Sequence, residues 1–389
     1  MPENLQSSLT DLLGQLVQTP SRASVDSCDG VLALLENWLG AHGVESTVLK
    51  GQDGRRIALV GSIGGLSQTS AYILNAPLDT AGFGNLATWT RPPTSAAIEN
   101  GWLYGRGSAD SKAGTAIFCH LLDAFRRRNF SRALGFVFDA DEHTGRFGGM
   151  RAFLDRSSGS VAGVMIGYPG NDRFCIGARG FWRATVALCG LAAHSGASHH
   201  RGVNAIAKAS RFVRSLEELQ NEIGAQTADA FPLPPKVTVT GIRGGGEFSL
   251  IPDLCEVDID VRLTPSFPSD IAAARISAIV DRIDAQTPSS NDSRITHRES
   301  WPAYRLAEGS PIVAALVHAG EQVLGRRLAC VIAGPSNVGN LLAARSIDAT
   351  CGFGVSFRNI HAANECVELN SLEPAFRVYE RALEQLLGC

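Results

Sequence analysis

Four polar clusters interrupt the apolar runs of this 389-residue chain, and their side chains are of the types that bind metal ions and move protons. PLDT (77–80) follows the run AYILN, and GRGSADSK (105–112) places Asp110 just ahead of a helical stretch. DADEHTG (139–145) follows LGFVF and sets Glu142 beside His143. RNIHAANE (358–365) follows GFGV and carries His361. A solvated acidic loop accounts for any one of them taken alone. Together they supply a carboxylate, a carboxylate–imidazole pair and a second imidazole, each at the carboxyl end of a predicted strand. Open α/β sheets build their sites at those ends. The donor types are those of a zinc site with a general base nearby.

The elements that must position these groups follow from periodicity. Residues 5–17 and 29–42 read as amphipathic helices, with Leu9, Leu12, Leu13 and Leu16 at helical spacing. RIALVG (56–61) and AYILNA (71–76) are short apolar runs bounded by Gly and Pro, which favours buried strands. A helix over 112–128, a strand over 133–140, a short helix over 146–155 and a strand over 163–167 continue the alternation, the pattern of an α/β layer with a mostly parallel sheet. From about 173 the style changes. Residues 174–190 read as two strands, 203–222 and 268–285 as helices. Residues 236–243 and 254–262 alternate with period two, Cys255, Val257, Ile259 and Val261 on one face and Glu256, Asp258, Asp260 and Arg262 on the other. Such strands suit a half-solvated antiparallel sheet. The α/β style resumes after 300 with a helix (310–324), a strand (328–332), the turn GPSNVG, a strand (349–354) and a helix (371–386). The expectation is a discontinuous α/β domain, 1–179 and 296–389, around an α+β insertion, 180–295.

Composition bounds the function. The length allows two to three domains. With 35 Lys+Arg against 38 Asp+Glu, no basic excess is available to neutralise nucleic-acid phosphates. No apolar run reaches the ~18 residues of a membrane span, and the N-terminus lacks a basic, then apolar, secretory pattern. The nine cysteines, Cys351 among them, are scattered and odd in number, with no C-x-x-C pair, which fits a reducing cytosol.

Six ordered blocks carry a resemblance. TPS (19–21), LYGRGSADSKAG (103–114), FVFDADEHTGRFGG (136–149), GLAAHSGASHHRGVNAI (190–206), GGGEFSLIPDLCEVDIDVRLTP (244–265) and IHAANECVEL (360–369) span nearly the whole chain. In this order they resemble the M20 metallopeptidase/amidohydrolase family of acetylornithine deacetylases, succinyl-diaminopimelate desuccinylases and aminoacylases. The resemblance implies a zinc-peptidase-like α/β domain with an inserted lid that forms a homodimer. It also implies a small amide substrate bearing a free carboxylate, such as an N-acyl amino acid.

That family holds two zinc ions, and this chain departs from its ligand set. The first family His falls on Pro77, and the second acidic ligand falls on Tyr168; neither is a ligand of the expected kind. Asp79 is kept, as is the bridging ligand Asp110. Glu142 takes the place of the general base, and His143 stands where a Glu ligand is usual. The last His is kept as His361. One zinc site is thereby emptied, and Asp110, His143 and His361 remain for the other. The expectation is an amide hydrolase with one zinc per chain and Glu142 as base. Two alternatives stay open, both compatible with no metal: a non-hydrolytic homologue that transfers, joins or cyclises acyl groups, and a non-catalytic binder.

The resemblance makes His194 an oxyanion donor reaching the partner subunit's site, against a bland surface His. It makes Arg262 the clamp for the substrate carboxylate, against a cross-strand ion pair with Asp258 or Asp260. Ser249, Ser336 and Asn337 fall where the family contacts substrate, although Asn337 replaces an Asp. His199 and His200 read as a solvated loop, His42, His120, His297 and His318 as structural, and Lys112 as a surface residue at a helix start.

Overall fold

The computed structural model describes residues 5–64, 71–129, 131–157, 159–199, 202–228, 231–307, 309–350 and 352–389. His200 and Cys351 lie outside the described residues. The chain divides into two compact units, one of Met1–Gly177, Leu306–Ala333 and Asn337–Cys389, the other of Ala178–Arg305 and Gly334–Ser336. The sequence-based boundary after residue 295 falls inside the strand Arg294–Trp301, which belongs to the second unit.

The first unit is built on a six-stranded sheet in the order Thr47–Lys50, Arg56–Ile63, Leu134–Asp139, Ala71–Pro77, Val161–Ile166 and Ala349–Thr350. Three of its five pairings are parallel, so the expected α/β class holds. Ala71–Pro77 and Leu134–Asp139 are buried at every residue. Strands covered on both faces carry continuous apolar runs for that reason. Their register pairs Pro77 with Asp139, so the two chains leave the sheet side by side. The Leu78 N–H donates to the Asp139 carbonyl at 2.7 Å, and the Ser21 hydroxyl donates to the Leu78 carbonyl at 2.6 Å. Ala113–Phe125 is buried along almost its whole length, with Leu5–Gln18 and Leu372–Leu387 against it.

The second unit is a four-stranded antiparallel sheet, Lys236–Gly244, Leu254–Leu263, Gly180–Cys189 and Arg294–Trp301 in that order, with helices Ala205–Ile223 and Ser269–Gln286. Cys255, Val257, Ile259, Val261 and Leu263 enter its core beside Phe212, Leu216 and Ile276. Each fully buried aliphatic side chain contributes about 1.5–3 kcal/mol. Asn204 begins the first helix by accepting from the Ile206 and Ala207 N–H groups, a cap stabilising by about 1 kcal/mol.

Two expectations need correction. GPSNVG is not only a turn, because its Asn337 caps a helix, Val338–Ala344. Lys112 is not a surface residue. It is 1 % exposed, and its Nζ donates to the Leu16 and Thr19 carbonyls at 2.9 and 2.7 Å. Among the described residues, no helix is long and apolar enough to cross a membrane.

Candidate metal centre

The first unit gathers Asp79, Asp110, Glu142, His143, Tyr168 and His361 at the carboxyl ends of its central strands. Asp79, two residues beyond Ala71–Pro77, is 1 % exposed. Its Oδ1 accepts the Glu142 N–H at 3.0 Å and its Oδ2 the His143 N–H at 2.9 Å. This carboxylate therefore fixes the backbone of the neighbouring loop. Asp110 lies in an irregular helical turn, Ser108–Lys112, entered through Gly107 at φ +83°, a left-handed conformation that glycine adopts without penalty.

The ligand atoms of Asp110, His143 and His361 all lie within 4.8 Å of one another. His361 Nε2 is 2.7 Å from Asp110 Oδ2, and His143 Nε2 is 3.5 Å from the same oxygen. Donors set about 2 Å from a tetrahedral ion stand roughly 3.3 Å apart. The other ring nitrogen, His143 Nδ1, is 3.6 Å from Asp79 Oδ1 and 3.3 Å from Glu142 Oε2. Asp110 Oδ1 and both His143 ring nitrogens are buried without a hydrogen-bond partner. Unpaired buried polar atoms are costly; a cation between Asp110 and the two rings would satisfy His143 Nε2, while Nδ1 faces Asp79 and Glu142. Two imidazoles and one carboxylate form a donor set suited to zinc.

His361 sits at φ +60°, a conformation that costs a non-glycine residue of order 1–3 kcal/mol. A buried ion pair holds it there. Arg106 Nη1 lies 2.5 Å from Glu365 Oε2, and both side chains are almost fully buried. Arg106 Nη2 also donates to the His361 and Ala362 carbonyls, each at 3.1 Å. Glu365 Oε1 accepts the Ala109 and Asp110 N–H groups at 2.9 and 3.2 Å. Sequence reasoning assigned no role to this pair. Its only signal was Arg106 within G-R-G and Glu365 four residues beyond His361.

The charges follow from burial and crowding. Burial is the main cause that pushes Glu142 up to about 8, and the Asp110 and Asp79 carboxylates add to it. His143 is opposed by burial, yet its contacts with Asp110, Asp79 and Glu142 prevail and raise it to about 11, so a metal ion binding there displaces a proton. Asp110 is held well below the usual carboxylate range, because His143 and His361 outweigh the effect of its burial. Asp139 is pushed up to about 7, chiefly by burial. Tyr168 donates its hydroxyl to Glu142 Oε1 at 2.5 Å, and Pro77 ends its strand as a buried residue without a side-chain donor.

The other expected site residues are placed as follows. Asn337 accepts the Gly339 N–H through its side chain, in a reciprocal cap with Asn340. In the second unit, Arg262 Nε is 2.8 Å from Asp260 Oδ1, and Arg262 Nη1 donates to the Ser336 hydroxyl at 3.2 Å. Ser249 is exposed. His194 is exposed, with its Nδ1 accepting the Gly196 N–H.

Comparison with known proteins identifies the family. Residues 73–385 match the model of peptidase family M20/M25/M40. A succinyl-diaminopimelate desuccinylase of Cereibacter sphaeroides is 26% identical over 387 residues, covering 96% of this chain and 97% of that one. Another, of Psychrobacter arcticus, is 27% identical over 320 residues, covering 79% and 76%. An M20 family metallo-carboxypeptidase from Sulfolobus solfataricus shares the fold at a TM-score of 0.79 and 17% identity, with both chains fully covered. A dinuclear metal-binding M20 peptidase of Bacillus subtilis does so at 0.67 and 14%, with 98% of each covered. The chain belongs to peptidase family M20/M25/M40 and is a metal-dependent amide hydrolase of that family.

Proposed function

We propose that this hydrolase cleaves the amide of a small N-acyl amino acid or peptide-like substrate with a free carboxylate, using one zinc ion and Glu142. The observation that carries the reading is the three-donor cluster of Asp110, His143 and His361 with its orphaned buried atoms. When bound, a zinc ion supplies a Lewis acid and makes water acidic near neutral pH. Glu142 takes the proton of the attacking water and passes it to the departing amine nitrogen. Asp79 holds the Glu142–His143 backbone in register and lies behind His143 Nδ1, as carboxylates do behind metal-binding imidazoles.

Pro77 offers no donor, and the Tyr168 hydroxyl is directed to Glu142, which supports a single ion. The reading takes His194 as oxyanion donor and Arg262, with Ser249, Ser336 and Asn337, as the group that recognises substrate. A planar guanidinium suits a carboxylate. No observation favours acyl transfer, cyclisation or non-catalytic binding.

The same reading makes the protein a cytoplasmic homodimer. Scattered cysteines support the reducing compartment. The edge strand Lys236–Gly244 and the exposed Ile242, Phe248, Leu250 and Leu254 support the dimer. A solution mass about twice that of the chain checks it.

The activity is tested with a panel of N-succinyl and N-acetyl L-amino acids, reading release of the primary amine. Hydrolysis that chelator abolishes and zinc restores is expected. Full activity in chelator contradicts the reading.

A further inference from the structure

Glu142 is a buried side chain with a long, flexible stem, and a base of that kind is useful only when one of its oxygens is aimed. One oxygen is already engaged: Oε1 accepts the Tyr168 hydroxyl at 2.5 Å. The other, Oε2, lies 3.3 Å from His143 Nδ1, the ring nitrogen that also faces Asp79. The tyrosine itself stands on a braced strap. The Gly167 N–H donates to the Asn75 carbonyl at 2.8 Å and the Tyr168 N–H to the Ile166 carbonyl at 3.0 Å. Beyond it, the Gly170 N–H donates to the Val355 carbonyl at 2.8 Å, and the Gly354 N–H to the Gly170 carbonyl at 2.7 Å. Gly354 passes so close that any Cβ there would strike the Tyr168 carbonyl oxygen, so the strap lies flat only against glycine.

We propose that Tyr168 is a positioning residue for Glu142: its hydroxyl holds Oε1, and the carboxylate is thereby fixed in one orientation, with Oε2 beside the His143 ring. The inference rests on the reading of Glu142 as the base of amide hydrolysis. It requires that Tyr168 act through Glu142, to which its hydroxyl donates, and not as a metal ligand. Removing only the hydroxyl should therefore slow turnover while leaving substrate binding and metal binding in place.

The experiment compares the wild type with Y168F, E142Q and E142Q/Y168F. The substrate is the N-succinyl or N-acetyl amino acid that the wild type hydrolyses, and cobalt(II) titration of each protein reads the metal site. Y168F should lower kcat by roughly ten- to a hundredfold, the scale of a misplaced catalytic group. KM should stay within about twofold and the cobalt spectrum and stoichiometry should match the wild type. In the E142Q background the same change should cost nothing further, since two residues acting as a unit are not additive. An unchanged kcat in Y168F, an equal loss in both backgrounds, or an altered cobalt spectrum overturns the inference. A wild type inert on the whole panel overturns instead the hydrolase reading on which it rests.

Discussion

Arg106 and Glu365, 259 positions apart in sequence, form a buried ion pair whose further hydrogen bonds reach the metal-ligand residues His361 and Asp110 as well as their neighbours Ala362 and Ala109. Arg106 grips the carbonyl of His361, and Glu365 grips the N–H of Asp110. The strand Trp102–Tyr104, paired with Cys366–Glu368, brings them together. A strained His361 and a ligand on an irregular turn are thus held from behind by one charge pair.

Breaking this pair leaves an uncompensated buried charge, which typically costs about 3–5 kcal/mol. E365A should lower unfolding free energy by that amount in urea titration. It should also weaken zinc binding by roughly ten- to a hundredfold, because Asp110 and His361 lose a shared anchor. An E365A protein with wild-type stability and zinc affinity contradicts the assignment.

Asp79 acts by a different route, through two backbone N–H groups and the rear of His143. D79N keeps the shape but places an amide donor where two acceptor oxygens are needed. Zinc affinity, measured against a chelating indicator, should fall by roughly ten- to a hundredfold. Unchanged affinity would mean that the loop holds its geometry without Asp79.

His120 provides a pH test away from the site. Its Nε2 meets the Ser8 hydroxyl at 2.8 Å and its Nδ1 the Ala116 carbonyl at 2.8 Å, which one neutral tautomer satisfies. Burial holds it below its ordinary value, against the opposing bond to Ala116. As pH falls through about 6.5, the unfolded chain takes up a proton that the folded protein resists, so stability declines. The difference in urea midpoint between about pH 7.5 and pH 5.5 should be smaller in H120N than in the wild type. An equal difference removes His120 from the account.

Much of this was legible in the sequence. Ala71–Pro77 and Leu134–Asp139 are central strands that declare themselves by unbroken apolar runs. Glu142 and His143 declare themselves as an acid and an imidazole just beyond the second of these strands, and Asp110 and His361 as an acid and an imidazole in polar blocks elsewhere in the sequence. What stayed hidden depends on partners distant along the chain. Lys112 reads as a solvated cation until Leu5–Gln18 ends with the Leu16 carbonyl above it. Arg106 and Glu365 are ordinary charges until a long-range strand pairing joins them. Asn337 stands where the resemblance expects a substrate contact, and its role as the cap of Val338–Ala344 shows only once that helix is in place.

The central claim is a three-ligand metal centre that holds one ion. Elemental analysis of the purified wild type, beside H143A and H361A, tests it most directly. The account predicts about one zinc per chain in the wild type and a marked loss in each variant, since three protein ligands are the minimum of such a site. Two zinc ions per chain, or full hydrolytic activity with none, would contradict it.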